Sequence, residues 1–290
     1  MRGKKIYAMA VRNPEGEIVV EKKPVGGLGK KGLFRYPIFR GMAAFVDSLV
    51  TGTKILMRSA EIAGEGWEEE ELSPFEQWLK EKLGDKINDI LIYFSVFISL
   101  LLGMGLFFVL PVAIGNLFKT LVPTWALGII EGLIRIAIFL GYLWLISRMK
   151  EIKRVFQYHG AEHKTIACYE SGRELTVENV RPCTRFHPRC GTSFLLIVIL
   201  ISILAGALIT TENTLLRIAL KLLLLPVVMS VSYEIIKLCG RYDNPLTRAV
   251  SAPGLWLQRI TTSEPDDGMI ECAIAAVLPV LPENPEDGKW

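Results

Sequence analysis

Histidine is scarce in this sequence, cysteine is odd in number and net charge is small, and each shortage excludes something. The net charge is +3, too little for a protein that relies on a broad basic field to hold nucleic acid, so no nucleic-acid partner is expected. The five cysteines, Cys168, Cys183, Cys190, Cys239 and Cys272, cannot all pair within one chain. They read as reduced cytoplasmic thiols, not as a disulfide framework. No cleavable signal peptide is legible at the N-terminus. Met1 to Lys5 is basic, but Ile6 to Val11 is too short and too mixed to be its apolar core. The most informative lack is of charge between Ile90 and Phe118. That run exceeds the roughly 20 apolar residues that cross a bilayer, a length a soluble core helix seldom reaches.

Three more apolar segments follow. Trp125–Ser147 carries Glu131 and Arg135, four apart and so on one helical face. They read as a pair satisfying itself near the outer end, or as a polar feature facing the bundle interior; the first reading is preferred. Gly191–Thr211 is uncharged. Leu215–Ile236 spans only if Arg217 and Lys221 snorkel outward. Lys and Arg are dense before the first span (Lys22, Lys23, Lys30, Lys31, Arg35 and Arg40) and between the second and third. Only Lys119 lies between the first two, and Lys237, Arg241 and Arg248 follow the fourth. The positive-inside rule then predicts an inner, cytoplasmic-membrane protein with both termini in the cytoplasm, Arg217 being the one dissent.

The expected fold is therefore mostly α: a polytopic membrane protein with about four transmembrane helices, a small N-terminal β-hairpin and amphipathic cytoplasmic helices. Residues 1–34 form the hairpin and a Gly-rich linker, with Asn13-Pro14-Glu15-Gly16 as the turn. Residues 35–89 hold amphipathic helices. Residues 90–236 form the membrane domain, whose loop 148–190 is cytoplasmic, and 237–290 are a C-terminal cytoplasmic segment. Phe39, Met42, Phe45, Val46, Leu49 and Leu56 recur at helical spacing. They suit a core helix on the bundle or, with Arg40, Lys54 and Arg58 alongside, a helix lying on the membrane; the second is preferred. Glu65–Glu71 reads as a solvated loop. Leu255 and Trp256 read as an interfacial anchor, and Glu264-Pro265-Asp266-Asp267 as a helix start. Membrane lipids are the expected partners, and a homo-oligomer is compatible with this layout.

All three histidines, His159, His163 and His187, fall in the loop 148–190. His159-Gly160-Ala161-Glu162-His163 spells H-x-x-E-H. Residues four apart on a helix share a face, so both imidazoles can reach one divalent metal, with zinc the expected ion. Glu162 is placed to deprotonate a water that the metal activates, in the order of the inverted zinc-protease signature. A catalytic zinc takes three protein ligands. His187, Cys190 and Glu234 are the candidates to complete the shell, with Glu170 and Glu174 as further options. Cys190 also opens an apolar helix whose dipole favours thiolate. A pair of surface histidines is the bland alternative, and an ion pair with Lys237 or Arg241 is the bland one for Glu234. A Cys190–His187 nucleophile pair is a second chemistry, lacking a visible orienting group. Arg181, Arg185 and Arg189 could bind an anionic substrate or lipid head group, or could simply set topology.

Three stretches carry a resemblance: Tyr158–Thr165, Leu175–Val180 and His187–Phe194. With Ser232–Ile236, Pro253–Gln258 and Glu264–Asp267, they resemble the YqhQ-like family of bacterial membrane proteins, a domain of unknown function, over nearly the whole chain. The resemblance implies a metal-dependent enzyme. Members carry a Gly-rich stretch ahead of the Met-Arg-Gly that opens this chain, so the expectation is of a sequence that starts short of the family's usual N-terminus. The function expected is that of a metal-dependent, hydrolytic membrane enzyme. Its alternatives are a scaffold or assembly factor with a structural metal site or none, and a small transporter using Glu131, Arg135 and Glu234.

Overall fold

The computed structural model describes residues 1–3, 5–25, 36–64, 87–188, 190–242 and 244–282. The Gly-rich linker beyond Val25, the acidic run 65–71, Arg189 and the tail beyond Pro282 lie outside the described residues. The fold is mostly helical with one antiparallel sheet. Strand β1 (Ile6–Arg12) pairs with β2 (Ile18–Pro24), from Ile6 opposite Pro24 to Arg12 opposite Ile18. The expected turn joins them. Asn13 Oδ1 accepts from the Glu17 amide at 2.7 Å, and Gly16 takes φ +88°, a conformation open to a residue without Cβ.

Helix α1 (Pro37–Ile62) has two apolar sides. One packs on the last membrane helix. A Cβ on Gly41 would lie 2.6 Å from Ser230 Cα, so the two backbones touch. The other side leaves Val46, Leu49, Val50, Leu56 and Met57 exposed. The packing against the last membrane helix is what the core-helix reading expects, while this second side meets no other part of the described chain. Asp47 is buried and bonded to Arg2 at 2.7 Å.

Among the described residues, three helices are long and apolar enough to cross a membrane: Phe94–Phe118, Thr124–Ile146 and Thr214–Arg241. The first is composite. Helix α2 (Ile87–Met104) passes into a π-helical turn, Gly105–Val109, and then into α3 (Leu110–Gly115), closed by a tight turn at Asn116–Phe118. Pro111 explains the irregularity. It has no amide proton, so the carbonyl four residues earlier, that of Phe107, loses its helical donor. Arg135 from α4 (Thr124–Ile146) takes the place of that donor, its Nε 2.7 Å from the Phe107 oxygen.

Helices α5 (Lys150–Glu170) and α6 (Val177–Val180) lead to α7 (Gly191–Ala207), with Cys190 as N-cap. Helix α7 has 17 residues, at the short end of what spans a bilayer, because it stops at Leu208 instead of running to Thr211. It packs on α4 through two glycines four apart. A Cβ on Gly128 would meet the Gly206 carbonyl oxygen at 2.8 Å, and one on Gly132 would meet Ile203 Cγ1 at 2.3 Å. Small residues at this spacing let membrane helices approach backbone to backbone.

The polar residues of these helices depart from expectation. Glu131 and Arg135 do not pair with each other. Glu131 is fully buried and bridges Arg217 Nε at 3.2 Å and Lys221, both on α8 (Thr214–Arg241). Arg217 and Lys221 therefore turn inward instead of snorkelling, since an ionic partner inside the bundle offsets their desolvation better than apolar walls would. Helix α9 (Pro245–Thr261), opened by an Asn244–Thr247 capping box, packs against α7 around Leu257, Phe139 and Leu196. The hairpin, α5, α6 and α10 (Asp267–Val277) form a separate unit whose core holds Ala161, Cys168, Val180, Met269, Ile270 and Ala273.

Gly132→Ala should drive a methyl into Ile203 and cost about 1–3 kcal/mol, as overpacking does. Thermal unfolding in detergent should show the loss, and Ile203→Val in the same chain should recover part of it.

Candidate metal centre

Helix α5 carries the H-x-x-E-H sequence, and its spacing does what helical geometry requires. The His159 and His163 rings stack edge-on with centroids 4.4 Å apart. Each ring is fixed by its Nδ1. That of His159 lies 2.8 Å from the Thr261 carbonyl oxygen, and that of His163 lies 2.7 Å from the Arg185 carbonyl oxygen. A carbonyl only accepts, so each Nδ1 carries a proton, and in the neutral ring each Nε2 keeps its lone pair.

Cys190 completes the cluster. Its Sγ lies 3.2 Å from His159 Nε2 and 3.1 Å from Thr192 Oγ1. One ligand atom each from His159, His163 and Cys190 falls within 4.8 Å of the others. Burial pushes the Cys190 thiol up, but hydrogen bonds and charge from His159 and His163 outweigh it and bring it down to about 5. Burial likewise pulls the His159 imidazole down, while Cys190, the Thr261 carbonyl and Glu162 more than reverse that and raise it. Without an ion, the pair thus tends toward thiolate and imidazolium. Two imidazoles and one thiolate are a donor set suited to zinc, with one tetrahedral position left over.

The other sequence candidates sit elsewhere. His187 Nε2 is 3.2 Å from Glu170 Oε2, and its ring centroid is 5.9 Å from that of His163. It flanks the cluster without joining it, and Cys190 pairs with His159 instead of His187. Glu234 belongs to α8, where Arg40 of α1 holds it, not Lys237 or Arg241. The Glu162 carboxylate is 42% exposed and 4.0 Å from the Met1 amine. It is not one of the converging atoms, although its charge reaches His159. Arg181 and Arg185 are engaged by Asp267 and Glu264 at 2.6 and 2.9 Å. Glu264 also takes buried Lys164 at 2.8 Å, and these two cations hold its carboxyl below the ordinary range.

Sequence reasoning missed what positions the cluster. Gln258 is fully buried and clamps the His187 backbone both ways. Its Oε1 accepts from the His187 amide, and its Nε2 donates to the His187 carbonyl, each at 2.8 Å. Thr261 contributes only a backbone carbonyl, which no side chain advertises. The signal that could have found Gln258 and Glu264 was their place in the Pro253–Gln258 and Glu264–Asp267 stretches already singled out.

The architecture and this cluster define a mostly α-helical membrane protein with a His-His-Cys group, His163 and Cys190 buried and His159 partly so, at the N-terminal end of an apolar helix. The chain belongs to the DUF1385 family of proteins of unknown function, whose model matches residues 36–283. It is 36% identical over 289 residues to a protein of Bacillus subtilis (strain 168) described as uncharacterized protein YqhQ, covering 96% of this chain and 88% of that one. No solved structure matches the chain.

Gln258→Leu leaves the His187 amide and carbonyl buried without their partners, at about 1–3 kcal/mol for each such group. Chemical denaturation should register a loss of that order, and iodoacetamide should reach Cys190 faster than in the unaltered protein.

Proposed function

We propose that this protein is a metal-dependent membrane enzyme of hydrolytic type. His159, His163 and Cys190 would hold a divalent ion, zinc by its preference for imidazole and thiolate. The observation that carries the reading is the convergence of three ligand atoms within 4.8 Å while both Nδ1 protons are tied to backbone carbonyls. Such outer hydrogen bonds are what orient imidazoles for a metal. Zinc bound there supplies Lewis-acid activation of water or of a substrate oxygen. Glu162, three residues along the helix from His159, is the assigned proton acceptor. His187, hydrogen-bonded to Glu170 beside the cluster, is placed to relay a proton to the exposed side. In this reading Glu234 is structural, a partner for Arg40.

The density of Lys and Arg around α5 and after α8 supports a cytoplasmic-membrane orientation with both termini and the cluster on the inner side. Exposed Phe94, Phe97, Leu101 and Leu102 on the first span would face lipid. A substrate at the inner membrane surface follows from that placement.

A second reading rests on the same sulfur. Cys190 at a helix N-terminus, 3.2 Å from an imidazole that the Thr261 carbonyl orients, has the parts of a cysteine nucleophile. A third, non-enzymatic reading makes the cluster a closed structural site, which requires a fourth protein ligand.

Elemental analysis separates these. The purified protein should carry about one zinc per chain; His163→Ala should lose it, and Glu162→Gln should keep it. Zinc content equal across all three, at zero or at any other level, removes the metal enzyme. Alkylation of Cys190 should accelerate on chelation if the thiolate is a ligand. A rate indifferent to chelator favours the nucleophile.

A further inference from the structure

The interior of the membrane helices holds a charge imbalance that the metal centre does not touch. Arg135, Arg217 and Lys221 are 5%, 2% and, at the side chain, 9% exposed, and among the described residues Glu131 is the one carboxylate bridged to this group. Arginine does not lose its proton in a protein. Even with Lys221 neutral, two guanidiniums face one carboxylate. The remaining partners are neutral. Arg217 bonds Asn116, and Arg135 donates to the Phe107 carbonyl at 2.7 Å and to Ser202 Oγ at 2.8 Å. The C-terminal turn of α7 offers its dipole, roughly half a unit of negative charge, which is less than the excess.

Depth makes the imbalance costly. Arg135 is the middle residue of α4, with eleven residues before it and eleven after. An unbalanced cation there is expensive, and ionisable groups at such depth mark binding or conduction sites. A small cavity opens at this point between the π-helical turn Gly105–Val109, α4, α7 and α8. Arg135, Lys221 and Ser202 supply its polar lining, the rest being apolar, and no carboxylate faces it. It admits a water-sized sphere and little more.

We infer that this cavity binds a small monovalent inorganic anion of the chloride class, held by Arg135 and Lys221 inside the membrane domain. The anion neutralises the excess left by Glu131. The cavity's size rules out phosphate head groups and organic acids, a halide being seated with only a small displacement of the Arg135 and Lys221 side chains, and its depth separates it from the cytoplasmic face where the histidines lie. The transporter reading of Glu131, Arg135 and Glu234 is thereby narrowed: Glu234 belongs to a different contact, and Lys221 takes its place.

Line broadening of chloride NMR by the purified, detergent-solubilised protein tests this, with bromide as competitor and gluconate as the bulky control. Wild-type protein should broaden the line saturably and lose the effect to bromide but not to gluconate. Arg135→Gln and, by an independent route, Lys221→Met should weaken binding about tenfold or more, as losing one buried charge partner does. Glu131→Gln raises the excess positive charge and should tighten binding, which a purely structural ion cluster would not do. No saturable broadening by the wild-type protein overturns the inference. So does broadening that Arg135→Gln and Lys221→Met leave unchanged, or that Glu131→Gln weakens. Should a variant fail to fold, the wild-type competition curve still decides.

Discussion

The histidine cluster depends on how closely α5 lies against the chain leaving α9. Gly160, between His159 and His163, allows that approach. A Cβ there would stand 2.1 Å from the Ser263 carbonyl oxygen, well inside contact distance. With the glycine, Ser263 donates its amide to the Phe156 carbonyl at 2.9 Å, and the Gln157 amide reaches the Glu264 carbonyl at 3.1 Å. The strap so formed puts the Thr261 carbonyl against His159 and the Glu264 carboxylate against Lys164 and Arg185. Any larger residue at 160 would lift the strap and release the ring it orients.

A second seam joins the same strap to the membrane helices. Gln258, three residues before Thr261, grips the His187 backbone, and the chain from His187 leads directly to Cys190 and α7. The imidazoles come from α5, which packs with α10 and the hairpin, and the thiolate from the N-cap of an apolar helix. The cluster is therefore the place where the two parts of the molecule are registered against each other. Burial of three donor groups at such a junction is costly unless their polar atoms are satisfied, and the carbonyls of Thr261 and Arg185 satisfy the two ring Nδ1 atoms.

Inside the bilayer-length helices the same rule acts on charge. Pro111 removes a backbone donor and a buried arginine fills in. Arg217 and Lys221 turn toward Glu131 and away from the helix end. Glu131 and Arg135 share a helical face, but each finds its partners on other helices. Spacing of four residues makes two side chains neighbours; it does not make them partners when stronger ones converge from elsewhere.

Much of this was legible in the residue order. Charge-free runs fixed the apolar helices because a bilayer leaves no other home for them. The turn at Asn13–Gly16 fixed the hairpin, and the spacing of His159 and His163 fixed their shared face because a helix has 3.6 residues per turn. Those are local properties, set by contacts within a few residues. Which third group meets the two imidazoles, which cation meets Glu131 and Glu234, and why residue 160 is glycine were decided only by the folded chain. Cys190 is 27 residues beyond His163, Lys221 is 90 beyond Glu131, and Arg40 is 194 before Glu234. Contacts at such separations arise from how helices pack, and several side chains in one sequence are chemically equal candidates until packing selects among them.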